Sequence, residues 1–516
     1  MKSYVSPIIT AIARLMEGSL FFRGLVAILD FIKKLIANSF VGRIFVGDLK
    51  PLEESLSRSK FVFVLDKLLN SFKPLTPPTN WPTWLSNLTS GSFFIGKTLE
   101  TLNIPIPPPG TAKQVGNLPI IRLGLFAFPA VGVAAVVFLA PFLPTMVLAG
   151  LVIPILLLTF LSRKFIFDPT AVLLLVFILV SFFAAVLSLT PVSSLQIVLL
   201  TSVFMLSTML VVACATTTLS VDFLIKVFIV AAGLTGIVGF YQVIAGFQGN
   251  MWLDQDLFAG DSRIVSTFGN PNVYGTYLLL AIPLAAASIV YFKGIFTKLC
   301  ATGITVLLVA NLGLTLSRGC YLSLALAVAV FVLIMEKRLV VMLVPAVVAL
   351  PFILPQNILN RIVSIVNFQD TSTAFRLNIW RGSIRVIQDF WLGGIGQGID
   401  AYNSVYPFYA LTAIYSPHAH SLYFQYLIEV GIFGFLIFII MLAFFFRTMA
   451  QFLRHTKNIA HKIMAAAMVS AVIGFLFQGL TDYVFYNYRV LLSFYIFIGI
   501  CIAFARVNKP SEIQND

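Results

Sequence analysis

Long apolar stretches constrain this chain more than any other feature of its sequence. From residue 119 onward, apolar runs of roughly 16 to 25 residues alternate with short polar breaks. Each run is long enough to cross a hydrocarbon core of about 30 Å as a helix, which satisfies its own backbone hydrogen bonds. Twelve segments are predicted, at residues 120–140, 142–161, 169–189, 195–216, 221–245, 273–292, 299–316, 320–335, 339–354, 421–446, 463–480 and 489–505. Tight hairpins at 120–161 and 299–335 leave ten or eleven as alternatives. The expected fold is an all-α, polytopic transmembrane helix bundle of about 12 helices.

Composition excludes the main soluble classes. Of the 516 residues, 59% are hydrophobic and 10% are charged, whereas a soluble domain is about one quarter charged because its surface meets water. The four cysteines stand singly in apolar runs, which excludes a disulfide scaffold and a zinc spacing. A formal net charge of +14 would indicate nucleic-acid binding in a soluble protein. Here it predicts a basic cytoplasmic face against anionic lipid, with the bilayer as partner and no nucleic acid.

The first 118 residues differ from the rest. They contain no 18-residue uncharged apolar stretch and no signal-peptide pattern, so we expect them to stay in the cytoplasm. Residues 20–45 mix large apolar side chains with Arg and Lys, which is typical of an interfacial amphipathic helix or of a small cytoplasmic helical domain. Residues 73–110 are rich in Pro, Thr and Asn and indicate a linker. The predicted organisation is an N-terminal extension at 1–118 and a transmembrane domain at 119–510.

The charges in the polar breaks predict an orientation. If the N-terminal region is cytoplasmic, every lysine lies on the cytoplasmic side, and so do both termini. The outer breaks then contain seven arginines, eight acids and no lysine. Guanidinium binds phosphate or carboxylate bidentately, whereas lysine is a hydrated point charge. The arginines therefore indicate anion binding, although selection against translocated lysine and ordinary Arg–Asp pairing would produce the same pattern.

A long outer segment at residues 355–419 is predicted to contain an amphipathic helix at 374–391. At 100° per residue, Arg376 falls at the centre of the apolar arc, while Arg381 and Arg385 fall on the polar face. A cation on an apolar face needs a partner, so Arg376 is either paired with an acid or a ligand for an anion. Arg381 and Arg385 are expected to be solvated.

Two further motifs follow this helix. Residues 392–398, LGGIGQG, lack the βαβ context of a dinucleotide fingerprint, so a loop is expected, with phosphate cradling as the alternative.

His418 and His420 lie at the outer boundary of a predicted transmembrane helix. Side chains at positions i and i+2 of a helix face apart, so the two histidines make a poor metal pair. A neutral histidine there can act as a general base. The alternative for both is interfacial packing.

The region 260–440 resembles the O-antigen ligase superfamily, which includes O-antigen polymerases and protein O-oligosaccharyltransferases. Its histidine signature is matched by His420, Ser421, nine residues, Gly431, two residues and Gly434. Three other stretches are similar to that family and follow its order: STFGNPNVYGTYL at 266–278, TLSRGCYLSL at 315–324 and FRLNIWRGSIRVIQDFWLGGIGQG at 375–398. Twelve helices with a large external loop before the histidine are also typical of the family.

The resemblance implies a membrane glycosyltransferase. It implies transfer of a glycan from a polyprenyl-pyrophosphate carrier to an acceptor hydroxyl on a lipid, polysaccharide or protein, at the external or periplasmic face of the cell membrane. No cofactor, metal or nucleotide sugar is expected. His420 matches the family's essential histidine and would be the catalytic base, while Arg318 and Arg376 match family arginines that would bind the pyrophosphate. Candidate contacts to glycan or carrier are Asn270, Asn272, Tyr274 and Glu429.

Other functions remain open at this level. A multi-pass transporter, for example of inorganic carbon, would have a similar helix count, but it would place ionisable or broken-helix sites near the midplane, often in repeated halves. No such repeat is apparent, and the polar candidates concentrate at one surface. A catalytically inactive scaffold of the cell envelope is the third reading. The sequence does not choose among acceptors.

Overall fold

A computed structural model describes residues 54–56, 58–70, 118–247, 263–336, 343–364, 371–411 and 416–509. The segment at residues 20–45, predicted to be an interfacial helix or part of a small helical domain, and the predicted linker at 73–110 lie outside these ranges. The described part contains helices and no strand, which confirms the all-α prediction. The helices are α1 (Lys60–Asn70), α2 (Leu118–Leu139), α3 (Thr145–Ser162), α4 (Pro169–Val186), α5 (Pro191–Met205), α6 (Ser207–Cys214), α7 (Thr218–Ile244), α8 (Pro271–Tyr291), α9 (Ile295–Leu314), α10 (Arg318–Met335), α11 (Leu343–Ile353), α12 (Gln356–Val363), α13 (Thr371–Phe390), α14 (Ile399–Val405), α15 (Leu422–His455), α16 (Ile459–Gln478) and α17 (Tyr488–Val507).

Ten segments of the described chain are long and apolar enough to cross a membrane: α3, α4, α5 together with α6, α7, α8, α9, α10, α15, α16 and α17. The chain is therefore a multi-pass membrane protein. The predicted segment at 339–354 corresponds to α11, of which Leu343–Ile353 is described. The predicted segment at 120–140 corresponds to α2, a helix of 22 residues.

Small residues allow the spanning helices to approach closely. A Cβ atom on Gly474 of α16 would lie 3.0 Å from the Ser323 carbonyl oxygen of α10. One on Gly499 of α17 would lie 2.9 Å from the Thr208 carbonyl oxygen of α6. Helices in lipid gain little from apolar burial against each other, so this close packing is a main source of their association. Helix α17 is buried along nearly its whole length and lies at the centre of the bundle.

Helix α15 is broken near its start. Gly431 has φ 63° and ψ −170°, which interrupts the helical hydrogen bonds. The glycine-rich loop, residues 391–398, lies against this break and supplies replacement partners. The bonds are Ile395 N–H to the Ile428 carbonyl (2.8 Å), Gly396 N–H to the Glu429 carbonyl (3.1 Å) and Ile432 N–H to the Trp391 carbonyl (2.7 Å). The glycines thus allow the backbone of the loop to lie close to the backbone of α15.

The segments around α13 and α14 form a cap with a core of its own. We define the cap as residues 371–411 and 416–421. Its buried apolar residues include Ile379 and Val386 of α13 and Tyr402 of α14. The same cluster contains Ala419, beside His420, and Ile428 of α15. The cap is therefore packed onto the helix that follows the histidine segment, and the site lies between them.

The glycine loop yields a stability prediction. Gly394 has φ 73°, and a Cβ there would lie 2.4 Å from the Glu429 carbonyl oxygen; Gly431 has φ 63°, and its Cβ would lie 2.4 Å from the Leu392 carbonyl oxygen. We expect Gly394→Ala and Gly431→Ala each to lower the free energy of unfolding by about 2 kcal/mol or more. Thermal unfolding of the purified protein in detergent measures this loss.

Gly150→Ala in α3 is the matched control, because no atom lies within 4 Å of the added methyl group. Alanine is also the better helix former, so this variant should melt at or slightly above the wild-type temperature. Equal melting temperatures for all three variants would contradict the proposed role of the break.

Candidate active site

His420 occupies an unusual backbone conformation just before α15. Its φ of 46° lies in the left-handed region, which costs a non-glycine residue roughly 1–2 kcal/mol. Two hydrogen bonds hold the segment: the His420 N–H donates to Nδ1 of His418 at 3.2 Å, and the Leu422 N–H donates to the Gly479 carbonyl at 2.8 Å. Backbone strain of this kind concentrates at functional sites, where the surrounding structure enforces it.

The His420 ring faces a buried carboxylate. Its Nδ1 lies 3.4 Å from Oδ1 of Asp482, which follows the end of α16 and is 4% exposed. Burial raises the pKa of Asp482, but the adjacent His420 side chain and the Arg376 guanidinium outweigh this effect, so the pKa lies below its usual range. The carboxylate is therefore ionised. A pairing through Nδ1 directs Nε2 of His420 to the opposite side of the ring.

His418 supports this arrangement as a neutral side chain. Its ring stacks on Tyr486, with ring centroids 4.8 Å apart and planes 17° apart. Burial, together with the adjacent His420, lowers the pKa of His418 to about 3. Because Nδ1 accepts the backbone N–H of His420, that nitrogen carries no proton. Protonation of His418 would break this contact, so the neutral ring fixes the backbone of His420.

His418, His420 and Asp482 also have the donor types of a metal site, and their candidate ligand atoms lie within 4.8 Å of one another. Three protein ligands would leave an open position, as catalytic zinc sites do. However, Nδ1 of His418 is already an acceptor for a backbone N–H, so only its Nε2 remains. The two other ligand atoms, Nδ1 of His420 and Oδ1 of Asp482, face each other at 3.4 Å. The arrangement fits a base with its orienting carboxylate without further assumptions.

His420 and Asp482 line a cavity of about 550 Å³, which we call the aromatic cavity. One wall is aromatic and consists of Tyr426, Tyr483, Phe485, Tyr486 and Tyr488. The remaining polar lining includes Asn270, Asn272, Gln397, Gln425 and Glu429. No Lys or Arg lines it among the residues that the structure describes. Amides, hydroxyls and aromatic rings at this size suit an uncharged polar ligand.

A second cavity of about 210 Å³, the arginine cavity, has the opposite character. It is lined by four arginines from four separate segments: Arg263, Arg318, Arg361 and Arg376. No carboxylate lines it within the described ranges. Three of these side chains donate to backbone carbonyls, namely Arg263 to Thr315 (2.8 Å), Arg318 to Ser364 (2.9 Å) and Arg361 to Leu316 (3.0 Å). These backbone carbonyls fix the positions of three of the guanidinium groups.

The electrostatic effect of the neighbouring arginines is seen in the pKa of Arg263. This residue is 6% exposed. Burial, with a further contribution from Arg361, lowers the pKa of the Arg263 guanidinium to about 9, so it is still charged at neutral pH. A multivalent anion between these cations would relieve both desolvation and repulsion.

The two cavities meet at Asn272, which lines both of them. Its Oδ1 accepts a hydrogen bond from Nη2 of Arg263 at 2.9 Å. Helix α13 also makes contacts at both cavities. Arg376 lines the arginine cavity, and the Phe375 ring contacts the ring of His420 edge-on, with centroids 5.6 Å apart. An anion in one cavity would therefore lie beside a ligand in the other.

The structure places most of the candidate residues from the sequence at these cavities. His420, Asn270, Asn272 and Glu429 line the aromatic cavity, and Arg318, Arg376 and Asn272 line the arginine cavity. Oε1 of Glu429 accepts from Nε2 of Gln425 at 2.9 Å and from the Gly398 N–H at 3.3 Å, so this carboxylate also anchors the glycine loop.

Tyr274 has a different position. It is fully buried, lines neither cavity and donates its hydroxyl to Oδ1 of Asn311 at 3.1 Å. This is a structural contact between α8 and α9. Arg381 and Arg385 are exposed on α13, as the helical wheel predicted.

Sequence reasoning assigned no role to Arg263, Arg361 or Asp482, although each was counted among the outer charges. Arg263 lies in the segment before α8, and Arg361 lies in α12. Both side chains are buried. Asp482 meets His420 only because α15 begins where α16 ends. The sequence pattern that included the two arginines was the presence of arginine without lysine in the predicted outer segments. This pattern does not distinguish buried arginines from exposed ones.

Comparison with known families matches residues 303–439 to the family described as O-antigen ligase. The match confirms the resemblance drawn from the motifs and supports a membrane glycosyltransferase of the O-antigen ligase or polymerase type. The range includes Arg318, Arg376 and His420, while Arg263 and Asp482 lie outside it. A search of curated proteins finds no match.

The neutral state of His418 predicts a pH dependence of stability. Its pKa of about 3 in the folded protein compares with about 6.5 when unfolded, so only the unfolded chain is protonated between these values. Stability should therefore fall as the pH drops below about 6.5, by about 2 kcal/mol at pH 5 from this group. Asp482, whose pKa is lowered, contributes a loss only below about pH 4.

His418→Asn isolates this contribution, because the amide oxygen can still accept the His420 N–H. The decrease in melting temperature between pH 7.5 and pH 5 should be smaller in His418→Asn than in wild type. His455→Asn, at the exposed end of α15, should leave the decrease unchanged. An equal decrease in His418→Asn and wild type would show that His418 is not held neutral.

Proposed function

Since the chain carries an O-antigen ligase domain at residues 303–439, we propose that it transfers a glycan from a polyprenyl-pyrophosphate carrier to an acceptor hydroxyl. The observation that carries the proposal is the junction of the two cavities. A cavity with four arginines adjoins, at Asn272, a cavity that contains a histidine paired with a buried carboxylate. The arginines that would stabilise a leaving group's charge thus lie next to the histidine that would remove a proton.

The arginine cavity suits the pyrophosphate of the donor. Guanidinium groups bind phosphate oxygens bidentately and remain charged. Arg318 and Arg376 act here in the roles that the motifs indicated, and Arg263 and Arg361 join them. Hydrogen bonds to backbone carbonyls hold Arg263, Arg318 and Arg361 in place before the substrate arrives. Such preorganisation avoids reorganisation when negative charge develops on the leaving group.

The aromatic cavity suits the sugars and the acceptor hydroxyl. In the proposed step, Nε2 of His420 removes the hydroxyl proton while the hydroxyl oxygen attacks the anomeric carbon. The bond between that carbon and the phosphate oxygen breaks, and its electron pair leaves with the pyrophosphate. Asp482 orients the imidazole and stabilises the imidazolium that forms, which is the role of the carboxylate in a Ser-His-Asp triad. Asn270, Asn272 and Glu429 are proposed contacts to the glycan or carrier.

The placement of the site in the cell is part of the proposal. The distribution of lysine supports cytoplasmic termini, with the N-terminal extension at 1–118 and the transmembrane domain at 119–510, and an active face on the external or periplasmic side. The acceptor is a lipid, a polysaccharide or a protein. Both cavities are lined largely by residues at helix ends and in the cap, which favours chemistry at a membrane surface over passage through the bundle.

Complementation of a gene deletion tests this function. We expect wild type to restore surface glycan, and His420→Ala and Arg376→Ala to reduce transfer by at least about 100-fold while carrier-linked glycan accumulates. Arg385→Ala is the matched control, since Arg385 lies on the same helix as Arg376 but is exposed. It should complement fully. Surface glycan, lipid-linked intermediates and the amount of each variant in the membrane are measured together.

Two results would contradict the proposal. Full glycan transfer by His420→Ala at normal membrane levels would exclude this residue as the base. Equal loss in Arg376→Ala and Arg385→Ala would show that the effect comes from the helix surface and not from the arginine cavity.

Asp482→Asn tests the orienting carboxylate. The amide retains the size of the side chain but removes the charge that stabilises the imidazolium, so transfer should fall by roughly 10²- to 10⁴-fold. Asp389→Asn, an exposed carboxylate of α13 that accepts from Tyr409, is the control and should retain wild-type transfer. Normal transfer by Asp482→Asn would assign Asp482 a structural role only.

A further inference from the structure

Trp380 of α13 has a polar atom that the proposed reaction has not used. Its indole Nε1 is buried and has no hydrogen-bond partner within the described ranges. A buried tryptophan N–H usually has a partner, because its desolvation is otherwise uncompensated. We therefore expect the indole N–H to donate a hydrogen bond to a bound ligand.

The position of the ring identifies the place where that partner would bind. Trp380 lines the arginine cavity, one helical turn after Arg376. Its ring contacts Phe424 of α15 edge-on, with centroids 5.8 Å apart and planes at 76°. Because the ring is held between the cap and the bundle, the direction of its N–H is set by packing.

The side-chain amides around this cavity are already engaged as acceptors. Oδ1 of Asn272 accepts from Arg263, and Oε1 of Gln478 accepts from the Ser323 hydroxyl at 3.4 Å. The four guanidinium groups are donors only. A cavity with this many donors and few free acceptors is complementary to a ligand rich in acceptor oxygens.

We propose that the indole N–H of Trp380 donates a hydrogen bond to a diphosphate oxygen of the lipid-linked donor in the arginine cavity. This rests on the proposed function, and it adds a directional, uncharged donor to the four cations. The arginines supply most of the attraction, while the fixed indole selects one position of the diphosphate. The bond strengthens as charge accumulates on the leaving group.

Fluorine NMR on the intact protein tests the contact directly. The full chain is labelled with 5-fluorotryptophan, and the Trp380 resonance is assigned by its absence from Trp380→Phe. Farnesyl diphosphate should shift this resonance at saturation, whereas farnesol, which has no phosphate, should not. The resonance of Trp391, which is 54% exposed at the end of the same region, should not move with either probe.

Affinity for farnesyl diphosphate provides the second measurement. Trp380→Phe keeps an aromatic ring against Phe424 but has no donor, so its Kd should rise by roughly 10- to 100-fold, as expected for one hydrogen bond to a charged group. Trp391→Phe is the matched control and should bind as wild type does. The NMR result on wild type stands even if Trp380→Phe folds poorly.

The outcomes separate this inference from the function on which it rests. Unchanged affinity in Trp380→Phe with an unmoved Trp380 resonance would overturn the contact and leave a diphosphate site made by arginines alone. Absence of binding in wild type would overturn both the contact and the diphosphate site. A shifted Trp380 resonance together with normal glycan transfer by His420→Ala would retain the contact and overturn the proposed chemistry.

Discussion

A helix that breaks inside an apolar bundle exposes backbone groups for which the lipid offers no hydrogen bonds. Helix α15 breaks at Gly431, and the glycine loop supplies the missing partners. This exchange joins the cap to the bundle, because only glycine allows the two backbones to approach so closely. Glu429 lies at this junction, where its carbonyl oxygen accepts the Gly396 N–H.

Once the cap is fixed, the site divides into two regions of different polarity. Buried arginines, held by carbonyl oxygens, create a positive cavity, and an aromatic and amide-lined cavity beside it contains the His420–Asp482 pair. Separation is physically useful, because a carboxylate inside the arginine cavity would compete with the anion. The carboxylate instead lies behind the histidine, where it orients the imidazole. Helix α13 connects the regions through Arg376 and Phe375.

Much of the fold was predictable because spanning helices need long apolar runs, which are directly visible. Ten described segments are long and apolar enough to span a membrane, which is roughly consistent with the predicted twelve. At the site, the helical wheel distinguished Arg376 from Arg381 and Arg385, since periodicity within one helix is a local property. The pairing of His420 with Asp482 was not predictable. These residues are separated by 482 − 420 = 62 positions, and they meet only through the packing of α15 against α16 and its following turn.

In the proposed function, the arginine cavity binds the pyrophosphate of a lipid-linked glycan so that the sugar lies beside His420. A cryo-EM structure of the protein with a bound polyprenyl-pyrophosphate glycan would locate both groups. We expect the two phosphates to lie within hydrogen-bonding distance of Arg318 and Arg376, with the first sugar in the aromatic cavity and its anomeric carbon facing the His420 ring. A diphosphate bound away from these arginines, or a sugar directed away from His420, would contradict the proposed function.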